Sequence, residues 1–316
     1  MKSSVFQSPT GDRPMFAMVL LLIGVFVLAL QDSLVKLMSD QTSFWQFQTL
    51  RSIGNLCFAA LLAYSSGNLR LIIPKKKKAV FLRAGFMTIC MFCFFSGAPF
   101  LSVPQMAAGL YTYPLFVSLL AAPVLGEKVG PWRIGALIIG SCGALLVLSP
   151  WREEFTLLQM LPVCAGLFFA ANILTIRKAC REESPLALAS AVSLTFLGTG
   201  LVAITLLALF PAPKVLEDSM PFIAIGWPNL TMIVLGFAIF ASVLNLTGNI
   251  CLGRAYQTAD SSWLAPLDFS YLLLAAIWSK LLFDVWPTGI AIAGMSLIAA
   301  AGILTGWRER ISATKT

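Results

Sequence analysis

Four ionisable residues stand inside long apolar runs of this 316-residue sequence: Asp32, Lys36, Arg51 and Asp268. A charge at membrane depth costs about 2.5–3.5 kcal/mol or more unless it meets a partner or faces a wet cavity. Asp32 and Lys36 are spaced i, i+4, so a helix places them on one face, where they can pair. One reading of the four is structural, with Asp32–Lys36 and Asp268–Arg51 as ion pairs that tie helices together. The other is a solute cavity. There Arg51 or Lys36 meets a carboxylate or phosphate, and an Asp meets a cationic group or carries a coupling proton.

Uncharged polar and aromatic residues fall at the same depth. Gln31 and Asn172 occupy similar places in two different runs, and Asn245 and Asn249 lie one helical turn apart. Tyr111 and Tyr113 precede Pro114, while Trp263, Phe269 and Tyr271 surround Pro266. A proline inside a membrane helix breaks the backbone ladder and frees carbonyls toward neighbouring groups. The aromatic rings beside it can stack on a flat solute or a cation. Glu127 and Asp284 sit in polar turns, as candidates for a gate or for a simple helix boundary.

Those residues need a scaffold, and composition says which. The chain is 58% hydrophobic and 11% charged, with a mean hydropathy of +0.86. A soluble core cannot absorb that apolar surface, whereas a bilayer can. The net charge of +8 lies in short clusters between apolar runs, the pattern of membrane orientation signals rather than of a nucleic-acid face. There is no His, which removes imidazole chemistry. Of seven Cys, six lie in apolar segments, and Cys90 and Cys93 in CxxC spacing read as small hydrophobes rather than as metal ligands. No cofactor or metal is expected. The first apolar run lacks the small-residue site of a cleaved signal.

Runs of about 20 apolar residues, the length that crosses about 30 Å of hydrocarbon, fall at 15–37, 44–65, 79–98, 104–125, 132–149, 157–177, 186–210, 229–252, 260–282 and 288–306. They predict an all-α membrane protein with ten transmembrane helices, because a barrel would need short alternating strands. Most of the 22 Lys and Arg fall on one side, which puts both termini in the cytoplasm. Aligned on Gln105 and Gln257, Pro114 falls on Pro266, and each copy runs through an acidic turn into a small-residue helix with Gly135 and Gly140, or Gly289 and Gly294. The expectation is two five-helix repeats, 1–150 and 151–316. An odd helix count inverts the second relative to the first, the plan of secondary transporters that alternate access around a midplane site.

Several stretches together carry a family likeness. They are Gln31 to Ser52, the Pro114-Leu115-Phe116 and Leu125-Gly126-Glu127-Lys128 texts, the closing helix to Leu148-Ser149-Pro150, Ala265 to Phe269, and Gly306-Trp307-Arg308-Glu309. In that order the chain resembles the EamA-type ten-helix members of the drug/metabolite transporter superfamily over essentially its full length. It departs where the second repeat reads Phe283-Asp284-Val285 in place of a Gly-Glu turn. The resemblance implies secondary transport of an amino-acid-like, nucleotide-like or organic-anion metabolite, such as S-adenosylmethionine or riboflavin, across a bacterial inner membrane by proton coupling or exchange. A membrane enzyme and a receptor or scaffold are the weaker alternatives: the first finds no catalytic constellation and the second no large soluble loop. Expected partners are the solute and membrane lipids, with no nucleic acid, in a monomer or homodimer.

Overall fold

The computed structural model describes residues 14–125, 131–149, 157–180, 182–258, 264 and 267–313. Every regular element among them is helical. The helices are α1 (Pro14–Met38), α2 (Phe44–Ser65), α3 (Lys77–Ser96), α4 (Val103–Leu110), α5 (Tyr113–Leu125), α6 (Pro131–Leu148), α7 (Leu161–Ala179), α8 (Pro185–Leu209), α9 (Lys214–Ser219), α10 (Pro221–Ala224), α11 (Met232–Thr258), α12 (Ser270–Phe283) and α13 (Gly289–Ala313). Five segments are long and apolar enough to cross a membrane: Met15–Met38, Lys77–Ser96, Leu157–Ala179, Pro185–Leu209 and Met232–Ala255. Ile134–Leu148, Ser270–Phe283 and Gly289–Leu304 are shorter apolar helices. The chain is a multi-pass membrane protein. Large apolar side chains cover its outside, among them Ile23, Ile53, Leu61, Val202 and Leu206, as lipid requires.

Local chemistry sets the helix ends. Ser43 caps α2 by accepting from the Gln46 amide at 3.1 Å, and Ser184 precedes Pro185 at the start of α8. Ser102 and Gln105 form a capping box on α4. The fourth predicted run is two helices rather than one. Pro114 has no N–H to give, and the chain turns at Tyr111–Thr112 between α4 and α5. The connection from Pro211 to Pro228 carries two short helices, α9 and α10.

Packing pairs helices that are far apart in sequence. α1 lies on α11, α3 on α7, and α6 on α13; α2 touches α8 and α11, and α3 touches α8. α12 meets α1 and α4, while α4 and α5 both meet α7. Two crossings run through glycine. A Cβ on Gly143 would lie 2.7 Å from the Gly294 carbonyl oxygen, and one on Gly294 would lie 2.6 Å from that of Gly143. A Cβ on Gly24 would lie 3.0 Å from the Gly248 oxygen. Small residues let membrane helices approach this closely and gain dispersion that lipid cannot match. Of the glycines matched in sequence, Gly294 lies at a crossing, Gly140 packs on Leu115, and Gly135 and Gly289 face open space.

Side chains also tie loops together at each end. The Glu183 carboxylate accepts the backbone N–H groups of Lys75 at 3.0 Å and Lys76 at 2.6 Å, joining the α7–α8 connection to the α2–α3 connection. At the other end Ser43 donates to the Gly226 carbonyl at 2.7 Å and Gln46 to that of Pro228, also at 2.7 Å.

Candidate functional site

The second helix is the least apolar of the long ones because it carries Gln46, Gln48, Thr49, Arg51, Ser52 and Asn55, all buried. At 3.6 residues per turn, Gln48, Arg51, Ser52 and Asn55 form one stripe. Thr49 lies to one side against Gly200 of α8, Gly54 to the other against Ser242 of α11, and Ile53 points out to lipid. The stripe therefore turns into the bundle. Arg51 is only 4% exposed, yet its Nε and Nη1 lack hydrogen-bond partners among the described residues. The same holds for both amide atoms of Gln48 and for Oδ1 of Asn55. The Arg51 guanidinium lies 5.8 Å from the centre of the Phe95 ring, a cation–π contact that leaves its N–H groups unspent. Buried donors and acceptors in a membrane interior call for a polar occupant, since leaving each one bare costs about 1–3 kcal/mol.

A hydrogen-bonded chain runs from this stripe across three further helices. Asn55 Nδ2 donates to Asn245 Oδ1 at 3.2 Å, and Asn245 Nδ2 donates to Gln31 Oε1 at 2.8 Å. Gln31 Nε2 donates to Asp32 Oδ1 at 3.1 Å, and the Tyr271 hydroxyl donates to Asp32 Oδ2. Tyr271 stacks on Tyr111 with centroids 5.0 Å apart and planes 17° from parallel. From there the path reaches the second carboxylate. Tyr111 donates to the Asp268 carbonyl at 3.2 Å, and Tyr113 donates to Asp268 Oδ2, also at 3.2 Å. Asp32 and Asp268 are half-buried rather than sealed. Two carboxylates thus lie at the ends of one aromatic bridge, with amides and a guanidinium beyond the first.

Backbone breaks hold the tyrosines there. The α4–α5 turn places Tyr111 as the last residue before the break and Tyr113 as the first after it. Gly166 of α7 admits that turn, because a Cβ there would lie 2.7 Å from Thr112 Oγ1 and 3.0 Å from the Leu110 carbonyl. Phe269, in the turn before α12, meets Tyr111 edge-on at 5.5 Å and fills the space left by Gly302 of α13.

The structure thus gathers Asp32, Arg51, Asn245, Asp268, Tyr111, Tyr113, Phe269 and Tyr271 around one region, with Pro114 making the break that aims the tyrosines. It corrects other expectations. Neither the Asp32–Lys36 nor the Asp268–Arg51 ion pair forms. Asp32 bonds to Gln31 and Tyr271, while Lys36 reaches the Ala98 carbonyl past the end of α3 and lies 5.5 Å from the Phe283 ring centre. Lys36 is a clamp between helix ends. Asn249 is exposed and donates to the Asn245 carbonyl at 2.8 Å, outside the hydrogen-bonded chain. Asn172 is buried on α7 with Oδ1 unpartnered, outside the hydrogen-bonded chain. Asp284 is exposed and pairs with Lys280 in a left-handed turn after α12, φ 55°, which makes it a helix stop. Glu127, Trp263 and Pro266 lie outside the described residues. Gln48 and Asn55 are additions; their 48-51-52-55 spacing with Arg51 was the available signal.

Among the described residues no three His, Cys, Asp or Glu side chains cluster as metal ligands. The chemistry on offer is non-covalent: donors from Arg51 and the amides, acceptors from two carboxylates, and flat aromatic faces. Residues 15–149 match the EamA-like transporter family. The match spans less than half of the chain, from α1 to α6. This is a family of transporters, not enzymes.

A riboflavin transporter of Vibrio cholerae is 29% identical over 209 residues, 66% of this chain and 64% of that protein. The pseudopaline exporter of Pseudomonas aeruginosa strain UCBPP-PA14 is 22% identical but matches 90% of this chain and 94% of its own length. An S-adenosylmethionine uptake transporter of Rickettsia bellii is 23% identical over 65% of this chain and 64% of that protein. The riboflavin transporters first matched are covered over less than two thirds of their own length. One solved crystal structure superposes with a TM-score of 0.59 at 16% identity, covering 92% of this chain and 99% of its own, a likeness of fold.

Proposed function

We propose that the chain is a secondary transporter of the bacterial inner membrane that carries a small, planar, polar or amphiphilic metabolite through a chamber lined by α1, α2, α11, α12 and the α4–α5 break. The single observation that carries this reading is the interior stripe of α2. Gln48, Arg51 and Asn55 hold buried polar atoms with no partner among the described residues, beside a carboxylate and a stacked tyrosine pair. A solute with a ring and a polar edge satisfies all three kinds of group. Its face lies on the tyrosines, its acceptors take Arg51 and Gln48 protons, and its donors meet Asp32 or Asp268. Riboflavin, the solute named for the relatives at 28–29% identity, has that shape of chemistry.

Movement follows from two inverted five-helix repeats, 1–150 and 151–316, in ten membrane spans with both termini in the cytoplasm. What supports the inversion is the pairing of helices. Exchange each first-half span for the one five spans later, and α1–α11 becomes α7–α3, α2–α11 becomes α8–α3, and α1–α12 becomes α7 with α4–α5. The pairs α2–α8, α6–α13 and α4–α12 map onto themselves. The loop ties follow the same exchange, with Glu183 at one end answering Ser43 and Gln46 at the other. Two arrangements related by that exchange open the chamber alternately to either side.

The test is uptake of radiolabelled riboflavin and S-adenosylmethionine into proteoliposomes. Saturable flux of either in the wild type, lost in Arg51→Gln at equal reconstitution, supports the proposal. Flux that survives both Arg51→Gln and Asp268→Asn overturns the assignment of the chamber.

A further inference from the structure

One space in the bundle has a chemistry opposite to that of the α2 stripe. Between α3, α5 and α7 lies a cavity of about 400 Å³, walled by Leu82, Phe86, Leu120 and Ala171 among others. None of the unpartnered buried polar atoms belongs to its lining. Among the described residues the one hydroxyl in its wall, on Thr175, is spent on the Ala171 carbonyl at 2.8 Å. A space with no polar group to satisfy stays dry and takes hydrocarbon. It also opens sideways, since Leu82 on its wall is 57% exposed on the outer surface of the bundle.

Its rim is cationic. Lys178 belongs to the lining and is exposed; one of its three N–H bonds goes to the Val124 carbonyl at 3.0 Å, leaving two for an outside acceptor. Ala79, also in the lining, follows directly on the exposed run Lys75 to Lys78 at the start of α3, where the helix dipole adds to the positive field. Glu182 and Glu183 follow α7, but both Glu183 oxygens are engaged by the Lys75 and Lys76 amides, and the five lysines Lys75 to Lys78 and Lys178 outnumber the two carboxylates.

We infer that this cavity is a binding site for an anionic phospholipid, with one acyl chain between α3, α5 and α7 and the phosphate held by Lys178 and Lys78. The charge decides against a zwitterionic lipid, because basic residues at a membrane surface select anionic headgroups. The occupant is distinct from the proposed solute: the α2 stripe offers unpaired polar groups, and the described lining of this cavity offers none.

Native mass spectrometry of the purified, delipidated full chain tests it, titrating phosphatidylglycerol and phosphatidylcholine of identical chains, with glycerol 3-phosphate as the chainless probe. Retention of phosphatidylglycerol at roughly tenfold lower concentration than phosphatidylcholine is expected. The Lys178→Gln, Lys78→Gln double variant brings the two lipids level. Ala171→Phe, which fills the cavity, removes retained lipid; Ala79→Leu at the rim serves if that variant does not fold. Equal retention of both lipids by the wild type overturns the charge assignment. Unchanged retention in a folded cavity-filling variant overturns the location, and tight binding of glycerol 3-phosphate alone overturns the role of the chain.

Discussion

Tyr271 on α12 donates its hydroxyl proton to a carboxylate oxygen of Asp32 on α1, although 239 residues separate them. The same ring lies flat on Tyr111, so one side chain orients a carboxylate and supports an aromatic wall. Tyr271→Phe keeps the wall and removes the donor. A hydrogen bond to a charged group contributes about 1.5–3 kcal/mol, so solute affinity is expected to fall roughly tenfold or more with little change in folding. Isothermal titration or a KM measurement on the reconstituted variant checks this. An unchanged KM would mean that Asp32 does not meet the solute in the orientation Tyr271 sets.

Gly294→Ala is expected to destabilise the bundle, because its Cβ would lie 2.6 Å from a backbone oxygen that no rotamer change can move. Overpacking of this kind costs about 1–3 kcal/mol. Gly135→Ala provides the contrast. Nothing lies within 4 Å of its Cβ position, and Ala gains about 0.5–1 kcal/mol over Gly inside a helix. Melting temperatures of the two variants in one detergent should move in opposite directions.

Much of this arrangement is legible in the sequence, and the exceptions have physical causes. Apolar runs of membrane length locate α1, α3, α7, α8 and α11 because lipid leaves the chain little choice of state. Pro114 announces the break in the fourth run. Partner choice among polar groups is another matter. The i, i+4 spacing of Asp32 and Lys36 permits a pair, but Tyr271 is nearer to one and the Ala98 carbonyl to the other. Spacing along one helix carries no information about what a second helix brings. Gln48 and Asn55 gain meaning only when they are set on one helical stripe with Arg51 between them.

Asp284 holds a left-handed backbone, φ 55°, after α12, and its carboxylate bonds to Lys280. Asp284→Gly is expected to be tolerated, since Gly adopts that conformation freely, while Asp284→Val lowers the melting temperature by about 2–4 °C. Lys280 holds the Asp284 carboxyl below its ordinary value. The pair's small contribution is therefore present above the usual Asp range and lost as pH falls through the lowered value. Melting curves of the wild type and Asp284→Asn between neutral and strongly acidic pH should converge at the acid end.

Glu183→Ala leaves two backbone N–H groups before α3 without their acceptor and unties the α7–α8 connection from the α2–α3 connection. The expected result is faster hydrogen exchange confined to the Lys75–Lys78 region and the start of α8, with a stability loss of about 1.5–3 kcal/mol. Hydrogen-exchange mass spectrometry resolves both. Protection unchanged at Lys75 and Lys76 would show that the tie is dispensable.

The central claim is that the α2 stripe faces a wet chamber while the opposite side of the helix faces lipid. Single cysteines placed by Gln48→Cys, Asn55→Cys and Ile53→Cys in a background cleared of the seven native Cys test this directly. The measurement is their reaction rate with a charged, membrane-impermeant methanethiosulfonate in proteoliposomes. The account predicts rapid labelling at positions 48 and 55, slowed by a transported solute, and none at 53. Labelling at 53 as fast as at 48, or none at either 48 or 55 from both sides of the membrane, would contradict it.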